Sequence, residues 1–280
     1  DIAGLVKGAS KGEGLGNKFL SHIREVDAIV QVLRHFQDSD IVHVEGGVDP
    51  LRDREIINTE LIFADLEQIE KSLPALQKKA KISQNKDEGK VVAILEKIQE
   101  VLNRGELANT IRSELSAEDL KLIRSYNFLT LKPFVYALNI AQEDLANAEA
   151  LKAEYEAKLN APVAIVCVKL ESEMMEFSPE ERAEFINELL EISGEKKIPT
   201  LDDLISLAFN QLGLMYYFTT GEKETRAWTI PLNSTAPQAA GAIHSDFERG
   251  FIKAEVISTE KLLEAGSWSA ARDKGQIRLE

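Results

Sequence analysis

Three short apolar, β-branched runs, Ala28 to Leu33 (AIVQVL), Phe134 to Asn139 (FVYALN) and Val163 to Val168 (VAIVCV), have the pattern of strands buried on both faces. Between the second and third lies Glu143 to Leu159, polar and alanine-rich, long enough for one helix. Two buried strands joined by such a helix predict a right-handed parallel crossover. The chain is therefore expected to be α/β, with its chemistry at the carboxyl ends of the strands.

The first two strands are far apart in the sequence, and the interval has a different period. Ile62, Leu66, Ile69, Leu73 and Leu76 recur every three or four residues, and Val91, Leu95, Ile98 and Leu102 repeat the spacing. Between these sets lies the polar stretch ISQNKDEG. This predicts an antiparallel helical hairpin inserted into the α/β unit. Ser116 with Asp119, Ser178-Pro179-Glu180-Glu181, and Thr200 with Asp203 read as helix starts. A further helix is expected over Lys18 to Glu25.

The last portion reads differently. Tyr216 to Thr219, Arg226 to Ile230 and Phe251 to Val256 are strand candidates, and Ala236 to Phe247 is a helix candidate. Strands around one helix predict a small β-grasp module. The expected division is 1–48 with 129–212 for the α/β domain, 49–128 for the inserted hairpin, and 213–280 for the β-grasp module.

Composition narrows the function. The net charge is −14, with a pI near 4.9, which disfavours general coating of nucleic acid and any role on DNA. The acidity lies upstream: from Gly213 to Glu280 there are 8 Lys and Arg against 9 Asp and Glu. The C-terminal portion is thus the better candidate for facing RNA. The single cysteine, Cys167, leaves no intramolecular disulfide and fits a reducing compartment. No apolar run approaches the ~20 residues that span a bilayer, so no membrane role and a cytoplasmic location are expected.

Four positions carry candidate chemistry. Asp1-Ile2-Ala3-Gly4 fits the D-x-x-G pattern of nucleotide switches, and it opens a segment with five glycines, Gly4 to Gly16. Such an aspartate can hold a magnesium-bound water, and the glycine lets a backbone N–H approach a γ-phosphate. Four-residue matches of this kind are common by chance. His43, before Gly46-Gly47, can orient a water at neutral pH. Asn139, ending a buried strand, can offer its amide to a purine edge. The following residues, Ile140-Ala141-Gln142, lack the lysine and acid of the guanine-reading N-K-x-D motif, so adenine is the better fit.

Taken together, DIAGLVKGASKGEGLGNKFLSHIREVDAI, FLTLKPFVYALN, TRAWTI and APQAAGAIHSDFERGFIKAEV resemble, in order, the YchF (Obg-like ATPase) family. The resemblance runs from Asp1 to Glu280. It implies a P-loop NTPase domain of the G type carrying an inserted α-helical hairpin, followed by a ubiquitin-like TGS domain. It implies hydrolysis of ATP in preference to GTP, with magnesium, and work on the ribosome or its RNA. In that likeness Asp1 takes the switch aspartate's place, holding magnesium through water, and Gly4 the γ-phosphate glycine's. Leu5 stands where related switches carry a water-orienting glutamine, and His43 takes over that catalytic role. Asn139 and Ile140 fall on the adenine-contacting positions, Ile140 through its backbone, and Leu170 and Glu171 on the final base-binding loop.

Two features depart from the family. Gln142 replaces a usual glutamate, and no G-x-x-x-x-G-K-S/T occurs in the sequence. The phosphate-binding loop is expected upstream of Asp1 and the last TGS strand beyond Glu280. This segment by itself is accordingly expected to be inactive, the intact protein an ATPase. The competing expectation is a non-catalytic scaffold that docks on ribosomes or proteins through the hairpin and the TGS domain.

Overall fold

The computed structural model describes residues 15–38, 40–41, 46–83, 85–194, 197–221 and 223–280. It divides into two compact units, Asp1–Leu212 and Gly213–Glu280.

In the first unit α1 (Leu15–Glu25) leads into β1 (Ile29–Arg34), and the chain then leaves the sheet for α2 (Pro50–Ser83) and α3 (Lys86–Asn103). A 3₁₀ segment, Ala108–Glu114, and α4 (Ala117–Ile123) bring it back to β2 (Phe134–Asn139). After a second 3₁₀ segment, Gln142–Asn147, come α5 (Ala148–Leu159), β3 (Val163–Val166), α6 (Val168–Met174), α7 (Pro179–Ser193) and α8 (Leu201–Gln211). The sheet order is β1-β2-β3. Both pairings are parallel, with Arg34 opposite Asn139 and Asn139 opposite Val166. The third predicted strand is therefore shorter than its apolar run: it stops at Val166, and Val168 already begins α6.

The hairpin period is real packing. Ile69, Leu73, Val91, Leu95, Ile98 and Leu102 are all buried in one cluster, with Leu66 and Leu76 at its margin. Asn85 caps α3 by accepting from the Asp87 N–H at 2.9 Å. That cluster extends to Leu20 and Ile23 of α1 and to Leu129 and Phe134 at the entry of β2, and a polar contact adds to this apolar join. Asp65 of α2, fully buried, accepts from the Leu129 N–H at 3.1 Å, the Thr130 N–H at 2.8 Å and the Thr130 hydroxyl at 2.7 Å. Arg24 of α1 stands 3.6 Å from the same carboxylate. The Arg24 guanidinium also donates to Gln68 Oε1 at 2.8 Å and to the Asn127 carbonyl at 3.1 Å. One buried carboxylate thus ties the hairpin, the helix preceding β1 and the strand entry of β2. Burial raises its pKa, against the pull of the Thr130 and Leu129 hydrogen bonds and of Arg24.

The second unit starts with β4 (Leu214–Thr220) and β5 (Thr225–Pro231), an antiparallel pair, followed by α9 (Ala236–Ile243) and α10 (Ser245–Arg249). Then come β6 (Glu255–Val256), α11 (Thr259–Ala265), α12 (Trp268–Asp273) and β7 (Arg278–Leu279), with β6 and β7 antiparallel. The single helix expected over 236–247 is split, because His244 is extended at φ −161 and ψ 142 and its ring caps α10 by accepting from the Asp246 N–H. The strand expected over 251–256 contracts to its last two residues, and α11 and α12 had no counterpart in the sequence reading. Tyr217 of β4 pins α9 to the β4–β5 pair by donating to the Ala239 carbonyl at 2.8 Å. No described helix is long and apolar enough to cross a membrane.

Candidate functional site

Three parallel strands end side by side. Their carboxyl edge holds His35 after β1, Asn139 and Ile140 at the end of β2, and Cys167 with Val168 where β3 passes into α6. Backbone bonds lock these ends together: the His35 N–H donates to the Asn139 carbonyl at 2.9 Å, and the Ile140 N–H to the Val166 carbonyl at 2.9 Å.

Asn139 is half-buried and its amide is oriented. Its Oδ1 accepts from the Val168 N–H at 3.2 Å. The side-chain oxygen is therefore committed to the start of α6, which leaves the Nδ2 donors for another acceptor. Ile140 buries its side chain, and with its N–H committed to Val166 it retains only its carbonyl for a ligand.

Leu170 and Glu171 sit elsewhere than in an open loop. Both belong to the first turn of α6, and the Leu170 side chain is fully buried among Cys167, Met174 and Ile198. The Glu171 carboxylate accepts from the Leu201 N–H at 2.6 Å, at the start of α8, and from the Arg182 guanidinium at 3.4 Å. That carboxylate joins α6, α7 and α8. Gln142 donates from Nε2 to Glu173 at 3.0 Å. A glutamate there would place two carboxylates in contact, so the amide suits its neighbour. Cys167 is a core thiol, and burial pushes its pKa up.

Asp1, Gly4 and His43 lie outside the described residues. The structure does describe the approach to His43. Arg34, the last residue of β1, donates to the carbonyls of Phe36 at 3.1 Å, Ile41 at 3.0 Å and Asp38 at 3.2 Å, with its guanidinium 4.7 Å over the Phe36 ring. His35 adds a contact from Nδ1 to the Tyr155 hydroxyl of α5 at 3.1 Å. Neither residue was singled out from sequence. The one available signal was their place at the end of a buried strand. Among the described residues no cluster of His, Cys, Asp or Glu could hold a metal ion. A half-open cavity of about 240 Å³ lies along β3, lined by Lys152, Val163, Lys197 and Asp203, and contains none of the predicted site residues.

Comparison with known proteins places this geometry. A family model named YchF-GTPase_C, described as "Protein of unknown function (DUF933)", matches residues 214–280. The ribosome-binding ATPase YchF of Bacillus subtilis is 47% identical over 286 residues, covering 100% of this chain and 76% of that protein. Its namesake from Haemophilus influenzae is 48% identical over 283 residues, with 100% and 76% covered. Among solved structures, the Schizosaccharomyces pombe YchF GTPase superposes with a TM-score of 0.80 at 36% identity, covering 100% of this chain and 75% of that one. A likeness this close along the whole chain is homology in fold and sequence alike, and the chain belongs to the YchF family.

Proposed function

We propose that this chain works in a magnesium-dependent, ATP-hydrolysing factor that acts with the ribosome in the cytoplasm. The observation that carries the nucleotide reading is the pair Asn139 and Ile140. An uncommitted Nδ2 donor suits the N7 acceptor that adenine and guanine share, so Asn139 recognises a purine without choosing between them. The choice falls to the neighbouring Ile140 carbonyl. A carbonyl accepts from the exocyclic amine of adenine and faces the O6 acceptor of guanine unfavourably. This supports ATP over GTP, a point on which the names of the relatives differ.

The rest of the proposed machinery follows the family likeness. Residues 1–48 and 129–212 form the nucleotide domain, 49–128 the hairpin, and 213–280 the TGS module. Asp1 would hold magnesium through water, and the ion would neutralise phosphate charge; Gly4 would meet the γ-phosphate through its N–H. His43 would orient the attacking water, and Arg34 holds the described segment that precedes it. Leu170 and Glu171 border the base through backbone, since their side chains are engaged within the fold.

Calorimetry tests the base assignment. In a chain of the relatives' length, Asn139→Ala should weaken ATP and GTP binding alike, by about tenfold, the worth of one hydrogen bond to a buried base edge. His43→Ala should abolish turnover and keep ATP binding. Undiminished turnover would remove His43 from catalysis. Equal affinity for ATP and GTP in the unsubstituted chain would remove the Ile140 argument. The docking-scaffold reading is favoured by one observation, the engagement of the Glu171 and Leu170 side chains within the fold rather than in an open base-binding loop. It predicts ribosome association with no measurable ATP heat.

A further inference from the structure

The hairpin's turn is the chain's sharpest reversal of charge. From Lys71 to Lys90 there are six lysines against two carboxylates, Asp87 and Glu88, in a protein whose net charge is −14. Several of these lysines are already paired: Lys71 with Glu67, Lys79 with Glu88 at 2.6 Å, and Lys90 with Glu118 at 3.2 Å. Lys78, Lys81 and Lys86 are exposed and have no carboxylate partner among the described residues. All three lie at the turn, Lys78 and Lys81 three apart in the last turns of α2 and Lys86 opening α3.

Helix stability does not account for this arrangement. Lys81 suits the negative end of the α2 dipole, but Lys86 occupies the first position of α3, where a cation is disfavoured. Nor does the turn have the makings of a protein-binding hot spot, which draws on Trp, Tyr and Arg. Its exposed residues are lysines, Ser83, Asn85 and the carboxylate Asp87, with Ile82 as the lone large apolar side chain among those described. Mobile ammonium groups with small polar side chains between them match a run of phosphates, sequence-independently.

We infer that the turn of the helical hairpin docks on an RNA backbone, with Lys78, Lys81 and Lys86 as its phosphate contacts. The inference rests on the ribosome-associated reading for its partner class and is independent of nucleotide hydrolysis. The acidic remainder of residues 1–212 repels phosphate away from this point, while the nearly neutral C-terminal portion leaves room for a second RNA contact.

The test uses the whole chain and its triple variant Lys78→Gln, Lys81→Gln, Lys86→Gln, titrated with deproteinised ribosomal RNA at several salt concentrations. Circular dichroism confirms that the exposed substitutions leave the helices intact. The expected result is a loss of tenfold or more in affinity, with the slope of log K against log salt shallower by about 2. The matching triple arginine variant should bind like the unsubstituted chain. Unchanged RNA affinity in the glutamine variant, or no RNA binding by the unsubstituted chain, overturns the inference. Poly-L-glutamate serves as the acidic-protein probe: if the glutamine variant loses that ligand and keeps RNA, the turn binds an acidic protein and the inference also fails. ATP binding, measured on the same samples, reports on the hydrolase reading alone.

Discussion

Asp65 shows what one residue can hold together. Three donors converge on its carboxylate from Leu129 and Thr130, 64 and 65 positions along the chain. Removing it by Asp65→Ala would strand two buried N–H groups beside Arg24, and urea unfolding should show a loss of about 3–5 kcal/mol. Asp65→Asn keeps one acceptor and should cost less. The pH dependence has a definite sign. Burial raises the folded pKa above the unfolded value, so the folded chain binds this proton more tightly. The contribution is fullest below the ordinary aspartate pKa and is lost as pH rises through the raised folded value. The stability difference between the unsubstituted chain and Asp65→Asn should therefore widen on acidification; a difference that narrows would mean that the three donors and Arg24 outweigh burial. Nothing in the sequence marked this residue, since an aspartate among helical apolar positions reads as a surface residue until its distant partners are placed. Asn139 was legible because a polar residue ending an apolar run has only the sheet edge to occupy. Arg34 was not, because its acceptors are carbonyls of a loop whose path the composition does not dictate.

At the scale of elements, local chemistry was the most readable. The capping boxes at Ser116 with Asp119, Ser178 with Glu181 and Thr200 with Asp203 form as their spacing predicts. Each satisfies N–H groups that the first helical turn cannot pair itself. Ser178→Ala should cost about 1 kcal/mol, read from the unfolding midpoint. The Ser178 N–H holds the Glu181 carboxyl below its usual range, helped by the Ser178 hydroxyl. Its contribution is thus present above the ordinary glutamate pKa and fades as pH falls through the lowered folded value. In the hairpin, Ile98 is fully buried between α2 and α3, and Ile98→Ala should cost roughly 2–5 kcal/mol. The same period that exposed this seam said nothing of α11 and α12. Each is only seven or six residues long and has too few turns to display a period.

For the whole molecule, the two units differ in how much core they own. Two buried clusters serve Asp1–Leu212, whereas in Gly213–Glu280 the described buried hydrophobic residues are Ile230 and Ala271. A unit of that size with so thin a core is marginal on its own account. Both tryptophans, Trp228 and Trp268, belong to it. Tryptophan fluorescence should therefore report unfolding at lower urea than far-ultraviolet circular dichroism, which follows the helices of the first unit. Coincident transitions would show one cooperative body. The sequence by itself determined where the three strands, the hairpin and the helix starts lie, because apolar periodicity and caps act over a few residues and leave their mark there, and its motifs determined the family. Of the strands, β2 and β3 are buried as expected, whereas β1 exposes Val30 and Val32 on one face. Only the tertiary structure decided that Glu171 braces three helices, that Asn139 turns its oxygen to the start of α6, and that Asp65 anchors the insertion. Each of those roles depends on partners brought close by folding, and a partner remote in the chain leaves no local trace.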